Sequence, residues 1–400
     1  MSTVMFRLAL AGLLLVAAPG CGGGEAIVKT VKKDPKKKEA KQLVTEARDR
    51  ASTGKPDEAD RLYGEAYSTA TDAPKLAWEI LVEWVDFLEH AGRVGRARDV
   101  AKQYYDANPA DAKGYDLYAD ALIAGNRGQE ALDVANQLLQ LTGESAGAHE
   151  KRGRALLLLE QLSEGADELR KAVQLDDGNA KYHMALGSAL HRMGDVNKAA
   201  LEFRAALKHA PDDPEVHVLL GMALRDQGQL DESKTYLDKA IELDPRNGRA
   251  YFELGLFYSL QRKPAETEDA FTKAVKYAPN ESRFWYAYGE IYRVQDKPEQ
   301  AIAAYRKALE LDPPYPKATG KLGCMLVDKK QNEEAEPLLI QAIRKDDKFA
   351  GNYWCLGKLY AAQRKNRAAV ENLEAFLKYA GKHDDNADKA RDLINQLKRR

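Results

Sequence analysis

The chain has 400 residues, of which 31% are charged and 44% hydrophobic, with a formal net charge of -1. So even a balance argues against a general nucleic-acid binder, which carries a basic domain. Three cysteines make no disulfide framework, and no CxxC pair offers a zinc site.

The N-terminus reads as an export signal. Arg7 gives a short positive start, and Leu8 to Ala18 is an apolar run of eleven residues. That is too short to cross a bilayer and the right size for a signal h-region. Small and turn-forming residues then lead to Cys21. The stretch resembles a bacterial lipobox, whose leader is cut just before a cysteine that carries lipid. Gly20 fits that pattern; Ala18 stands where leucine is usual, and Pro19 is unusual. The resemblance implies a signal peptide over 1–20 and a lipid on Cys21, and two or more acyl chains make a stable anchor. An ordinary secreted protein cut near Gly20 is the alternative. Gly22, rather than Asp, follows the cysteine, which by the same resemblance favours the outer membrane.

Residues 21–39 are expected to form a flexible basic tether. Three glycines are followed by Lys29, Lys32, Lys33, Lys36, Lys37 and Lys38 around Pro35. A run this charged does not bury enough apolar surface to fold. As a coil it spans on the order of 25 Å. It reads as a solvated spacer, or alternatively as a strip that touches anionic lipid or cell-wall polymer.

Gly153, Gly187, Gly221, Gly255, Gly289, Gly323 and Gly357 then recur every 34 residues. The clearest unit starts at Trp285 and carries Tyr288, Gly289, Tyr292, Ala301, Tyr305, Ala308 and Pro313 in order. It resembles the tetratricopeptide repeat (TPR), a helix–turn–helix unit of this period. With the glycine at position 8, the units are 146–179, 180–213, 214–247, 248–281, 282–315, 316–349 and 350–383. Stepping back gives 112–145, 78–111 and a weaker 40–73, with Pro74 to Ala77 as a separator. Residues 384–400 read as a polar helix that caps the last unit. Pro56, Pro264 and Pro298 all fall at position 17, where a second helix begins and proline is welcome. Pro337, at position 22, lies inside a second helix. Positions 4, 7, 11 and 24 are apolar, and positions 8, 20 and 27 are small, so each hairpin has one face to bury against its neighbours. The fold expected is all-α, a right-handed TPR solenoid of about ten repeats.

The sequence presents neither HExxH nor a phosphate-binding glycine loop. His149, His183 and His217 form a ladder at position 4, where the family places a packing side chain. Helices about 8–10 Å apart hardly let successive rungs share one zinc. Cys324 and Cys355 are expected to be buried free thiols, a disulfide being the alternative in an oxidising compartment.

By resemblance, the first helices form the inner wall at positions 2, 5, 9, 12 and 13. The wall should present Arg192, Arg225, Arg249, Phe252, Arg283, Tyr286, Arg293, Lys317, Trp354 and Lys358, with Glu215, Asp226, Glu290 and Asp328 among them. Aromatic and arginine side chains dominate binding hot spots. The expectation is a mildly basic groove for a peptide or helix of a partner, with no enzyme activity, cofactor, metal, nucleic acid or small-molecule substrate. No position 9 is asparagine, so the lysine–asparagine carboxylate clamp of some TPR proteins is not carried over.

Together the readings describe an outer-membrane lipoprotein at the periplasmic face. Its solenoid scaffolds envelope proteins of a motility machine (gliding or type IV pilus) or of a secretion machine. The Gly-rich run after Cys21 and the Ala/Arg/Asp-rich repeats resemble myxobacterial lipoproteins. Alternatives are a scaffold for polysaccharide export and an adaptor for cell-wall hydrolases.

Overall fold

The structure is a computed structural model that describes residues 35–381 and 384–399. The expected leader, Cys21 and the tether up to residue 34 lie outside the described residues. The chain divides into two compact units, residues 1–80 and 81–400. Among the described residues there are 21 helices and no strand. None of these helices is long and apolar enough to cross a membrane.

The first unit holds α1 (Pro35–Ser52), α2 (Pro56–Thr69) and the start of α3 (Pro74–His90). Ala40, Val44 and Ala47 of α1 and Ala59, Leu62, Tyr63 and Ala66 of α2 are buried. Two expectations are corrected here. Residues 35–39, assigned to the tether, are helical, and Pro74 to Ala77 open α3 rather than separate two repeats. Proline is preorganised for a helix's first turn and lysine is a good helix former, so charge alone does not make coil of this segment. Lys36 also reaches Asp72 at 2.6 Å.

The second unit continues through α4 (Val94–Ala107) and then alternates first and second helices. The first helices are α5 (Ala112–Ala124), α7 (Ala146–Leu158), α9 (Ala180–Arg192), α11 (Pro214–Asp226), α13 (Gly248–Leu260), α15 (Ser282–Val294), α17 (Pro316–Asp328) and α19 (Ala350–Ala362). The second helices are α6 (Gly128–Thr142), α8 (Leu162–Leu175), α10 (Val196–His209), α12 (Leu230–Leu243), α14 (Pro264–Tyr277), α16 (Pro298–Leu311), α18 (Asn332–Lys345) and α20 (Asn366–Tyr379). From α5 onward each first helix starts at position 1 of the 34-residue frame and each second helix at position 17. Asp111, Asn179, Asp213 and Asn247 cap first helices by accepting from backbone N–H groups in the first turn. The last helix, α21 (Ala387–Lys398), packs Ala390, Ile394 and Leu397 on Leu373 and Phe376 of α20. α18 runs through Pro337 without interruption.

Two local rules make the hairpin. The turn inside each repeat places position 15 in the left-handed region, at Gly194 and Gly228 but also at Glu160, Arg262, Lys330 and Arg364. The glycine at position 8 lets the helices meet: a Cβ on Gly187 would lie 2.6 Å from the Phe203 ring, and one on Gly289 2.6 Å from Tyr305. Positions 24 and 27 then fill the hairpin interior; Phe203, Ala206, Tyr305 and Ala308 are fully buried. Stacking merges these interiors, so that Leu157, Leu186, Phe203 and Leu220 share one cluster across three repeats. The result is an all-α repeat superhelix.

Candidate functional site

Neighbouring first helices touch each other directly: α5 meets α7, α7 meets α9, α9 meets α11, α11 meets α13 and α17 meets α19. Their outward stripes therefore join into one wall. A cavity of about 480 Å³ opens along it, lined by Glu150, Arg154, Leu157 and Leu158 of α7 and by Lys181, Met184, Ser188 and Arg192 of α9. Ile123, Glu215, Leu219 and Arg249 complete it. Most of these occupy positions 2, 5, 9, 12 and 13 of their repeats. The floor is apolar (Ile123, Leu157, Met184, Leu219) and the rim charged. A second cavity of about 280 Å³ lies among α15, α17 and α19.

The charges on this wall mostly bind one another across repeats. Lys151 is buried and holds Glu150 at 2.8 Å and Asp120 at 3.0 Å; Arg154 holds Asp120 and Glu150 at 3.0 Å each. Burial disfavours the Lys151 ammonium, but Glu150, Asp120 and Asp116 outweigh it and raise its pKa. Burial likewise opposes the Glu150 carboxylate, and Lys151 and Arg154 reverse the effect and lower it. Arg249 bonds Glu215 from the next repeat, yet burial still lifts the Glu215 carboxyl above its usual range.

Of the ten groove residues expected from sequence, five are tied into ion pairs, four of them across repeats. Arg192 binds Glu160 at 3.0 Å, Arg225 binds Glu253 and Asp226, Arg249 binds Glu215, Arg293 binds Glu290 at 3.1 Å, and Lys358 binds Asp328 at 2.6 Å. Phe252 is a correction. It is only 7% exposed, stacked on Phe284 at 4.3 Å and edge-on to Phe271, with the Arg283 guanidinium covering it at 5.0 Å. Trp354 is half-buried against Phe376, with Lys358 over its ring. Only Arg192 and Arg249 reach the larger cavity, while Tyr286 and Lys317 reach the smaller. Lys181 and Arg154 were missed, although they occupy wall positions 2 and 9. Asn352, at position 3, carried no signal.

His149, His183 and His217 are buried, as packing residues at position 4 should be. His149 and His183 each bond a glutamate at position 23 of the same repeat, Glu168 and Glu202, at 2.7 Å. In the third repeat Tyr236 takes that place, and His217 Nδ1 is left without a partner. Among the described residues no group of three His, Cys, Asp or Glu could hold a metal ion. The expectation of free thiols is overturned: Cys324 and Cys355 form a disulfide with Cα atoms 5.2 Å apart. Helix axes stand about 8–10 Å apart, but Cα atoms lie about 2.3 Å off each axis, so facing residues approach far closer than the axes.

Models of the tetratricopeptide repeat match residues 44–112, 118–180, 164–214 and 261–316, and a further one matches 190–256. These segments span more than half of the sequence, and the chain belongs to the tetratricopeptide-repeat family. Its repeat fold is typically a non-catalytic scaffold for protein–protein interaction, and the inner wall fits that use. Among solved structures, the human IFIT1 dimer with m7Gppp-AAAA is similar in fold, at 16% identity over 90% of this chain and 90% of that one, with a TM-score of 0.59. The APC/C hetero-tetramer Cut9–Hcn1 is similar at 15% identity over 80% of this chain and 76% of that one, with a TM-score of 0.54. No curated protein sequence matches the chain significantly.

Proposed function

We propose that this protein is a lipid-anchored TPR adaptor of a bacterial cell envelope. Cys21 ties it to the outer membrane at the periplasmic face, and its inner wall docks protein components of a motility or secretion machine. The observation that carries the docking is the 480 Å³ cavity, with its apolar floor and charged rim built from four successive repeats and Ile123 of a fifth. Such a surface suits an extended peptide or a helix, whose apolar side chains fill the floor while polar ones meet the rim. The anchor rests on the lipobox-like run before Cys21. The Cys324–Cys355 disulfide supports an oxidising compartment, because such bonds persist outside the reducing cytosol.

The test is affinity isolation of the tagged full chain from membranes of its own cells, beside a Cys21→Ser control. The expected result is co-purification of motor, secretin or outer-membrane channel subunits with the lipidated chain. Cys21→Ser is expected to lose the acyl label and membrane association. Acyl labelling and membrane association retained by the control would overturn the anchor. Recovery of cell-wall hydrolases or polysaccharide-export proteins alone would overturn the motility or secretion assignment.

A further inference from the structure

The smaller cavity collects polar groups that the fold leaves unused. Lys317 is exposed at its rim, and no carboxylate pairs with it among the described residues. The Tyr286 hydroxyl makes no hydrogen bond within the described residues. Burial, reinforced by Glu290, pushes its pKa up to about 12, so it stays an O–H donor. Asn352 is 3% exposed and lines the cavity, and its Oδ1 has no donor. That atom fills the space a Cβ on Gly320 would need, so the glycine makes room for the amide.

The remaining charges set the sign of the ligand. Lys321 binds Glu290 at 3.2 Å, and Glu290 also takes Arg293 and the Tyr305 hydroxyl. Asp346 at the rim accepts from the Lys348 backbone at 3.1 Å. The cavity lining thus carries two cations, Lys317 and Lys321, and one carboxylate, Asp346, leaving one positive charge. A single excess charge suits one carboxylate better than a phosphate dianion, which would also meet Asp346. Phe349, 46% exposed, and Pro316 add an apolar wall. The Cys324–Cys355 bond ties α17 to α19 and so holds two walls of the cavity in register.

From this arrangement we infer that the cavity among α15, α17 and α19 binds an aspartate or glutamate side chain, set beside an apolar residue in an extended segment of a partner protein. The carboxylate accepts from Lys317 and Tyr286, and the apolar neighbour rests on Phe349. The inference rests on the inner wall being a protein-binding face.

The probe is a positional-scanning library of heptapeptides, acetylated at the N-terminus and amidated at the C-terminus, offered to the full chain. Amidation removes the terminal carboxylate, so only side chains can supply the acid. The expected selection is Asp or Glu next to Phe, Leu or Tyr. Lys317→Glu, at an exposed position, should weaken the best peptide about tenfold without changing thermal melting. Tyr286→Phe, which removes only the hydroxyl, should weaken it comparably. Selection without acidic preference, binding only of free-acid peptides, or affinity unchanged in Lys317→Glu would each overturn the inference. In those cases the wider docking face survives if Lys181→Glu or Met184→Glu still weakens peptide capture. Absence of any bound peptide would overturn both.

Discussion

The close approach at position 8 gives a graded test of the packing. In Gly187→Ala the new methyl would sit 2.6 Å from Phe203 Cε1 and 2.8 Å from Cδ1. Carbon atoms rest at about 3.5–4.0 Å, so ring and methyl overlap by roughly 1 Å. The ring has nowhere to go, being fully buried among Leu186, Leu190, Leu220 and Leu224. Overpacking of this kind costs about 1–3 kcal/mol, against about 1 kcal/mol that alanine gains over glycine in a helix. The upper part of that range applies, leaving a net loss of about 1–2 kcal/mol. In Gly255→Ala the methyl meets three Phe271 ring carbons at 3.1 Å each, so a shift of a few tenths of an ångström suffices. There the cost and the helix gain nearly cancel. Stability of a repeat array is close to a sum of local terms, so a bulk melt dilutes the effect. Amide hydrogen exchange resolves it: protection should fall in α9, α10 and α11 for Gly187→Ala and hold in α13 and α14 for Gly255→Ala. Equal behaviour of the two variants, or greater protection in Gly187→Ala, would refute the packing argument.

Three further outcomes are expected. Lys330→Gly relieves a left-handed residue at φ 61° and should raise the stability of its repeat by about 0.5–1 kcal/mol, read as increased exchange protection in α17 and α18. Opening the Cys324–Cys355 bond, which spans 31 positions of chain, should cost the C-terminal repeats about 3–4 kcal/mol; protein isolated from its own cells with thiols blocked at lysis should show no free thiol at either residue until reduced. Burial disfavours the charged His183 ring, but Glu202 and the Asp177 carbonyl outweigh it and raise its pKa above 6.5. The stability it contributes is therefore complete below the unfolded value and lost as pH rises through the folded one. His183→Gln should be more damaging at acid pH than at alkaline pH in urea unfolding, and a pH-independent difference from the parent protein would count against the ion pair.

The repeat frame was legible because three chemical constraints recur at fixed spacing: a glycine where helices touch, proline where second helices begin, and an aromatic or leucine opposite the glycine. Gly289 with Tyr305, and Pro298 at the start of α16, show all three in one unit. The left-handed turn at position 15 was not legible, because non-glycine residues occupy it in six of the ten repeats. Phe252 escaped because register fixes which face a Cα belongs to but not which way a ring leans. Here it leans onto Phe284 of the next repeat. The disulfide escaped because repeat register alone does not fix how closely positions 9 and 6 of neighbouring first helices approach; their Cα atoms lie 5.2 Å apart. The α1 start escaped because lysine content was read as solvation, while proline and lysine together also suit a helix opening.

The distribution of charge on the inner wall changes what its residues are for. A list of exposed basic side chains looks like a basic groove, yet the partners of Arg225, Arg249 and Lys358 come from neighbouring repeats. Such pairs act as struts between repeats. Glu253 is 2% exposed, so truncating Arg225 leaves a buried carboxylate unpaired, a change that typically costs about 3–5 kcal/mol. An alanine at Arg225 thus reports on folding before it reports on binding. Under the proposed function, recognition falls instead to the positions where this pairing runs out: Lys181 at the rim of the larger cavity, and Lys317 and Tyr286 at the smaller. These groups keep unused donors and acceptors while the struts around them hold the backbone fixed. A partner meeting them would not need to displace an ion pair or order a loop, and that is the condition under which a few contacts yield affinity.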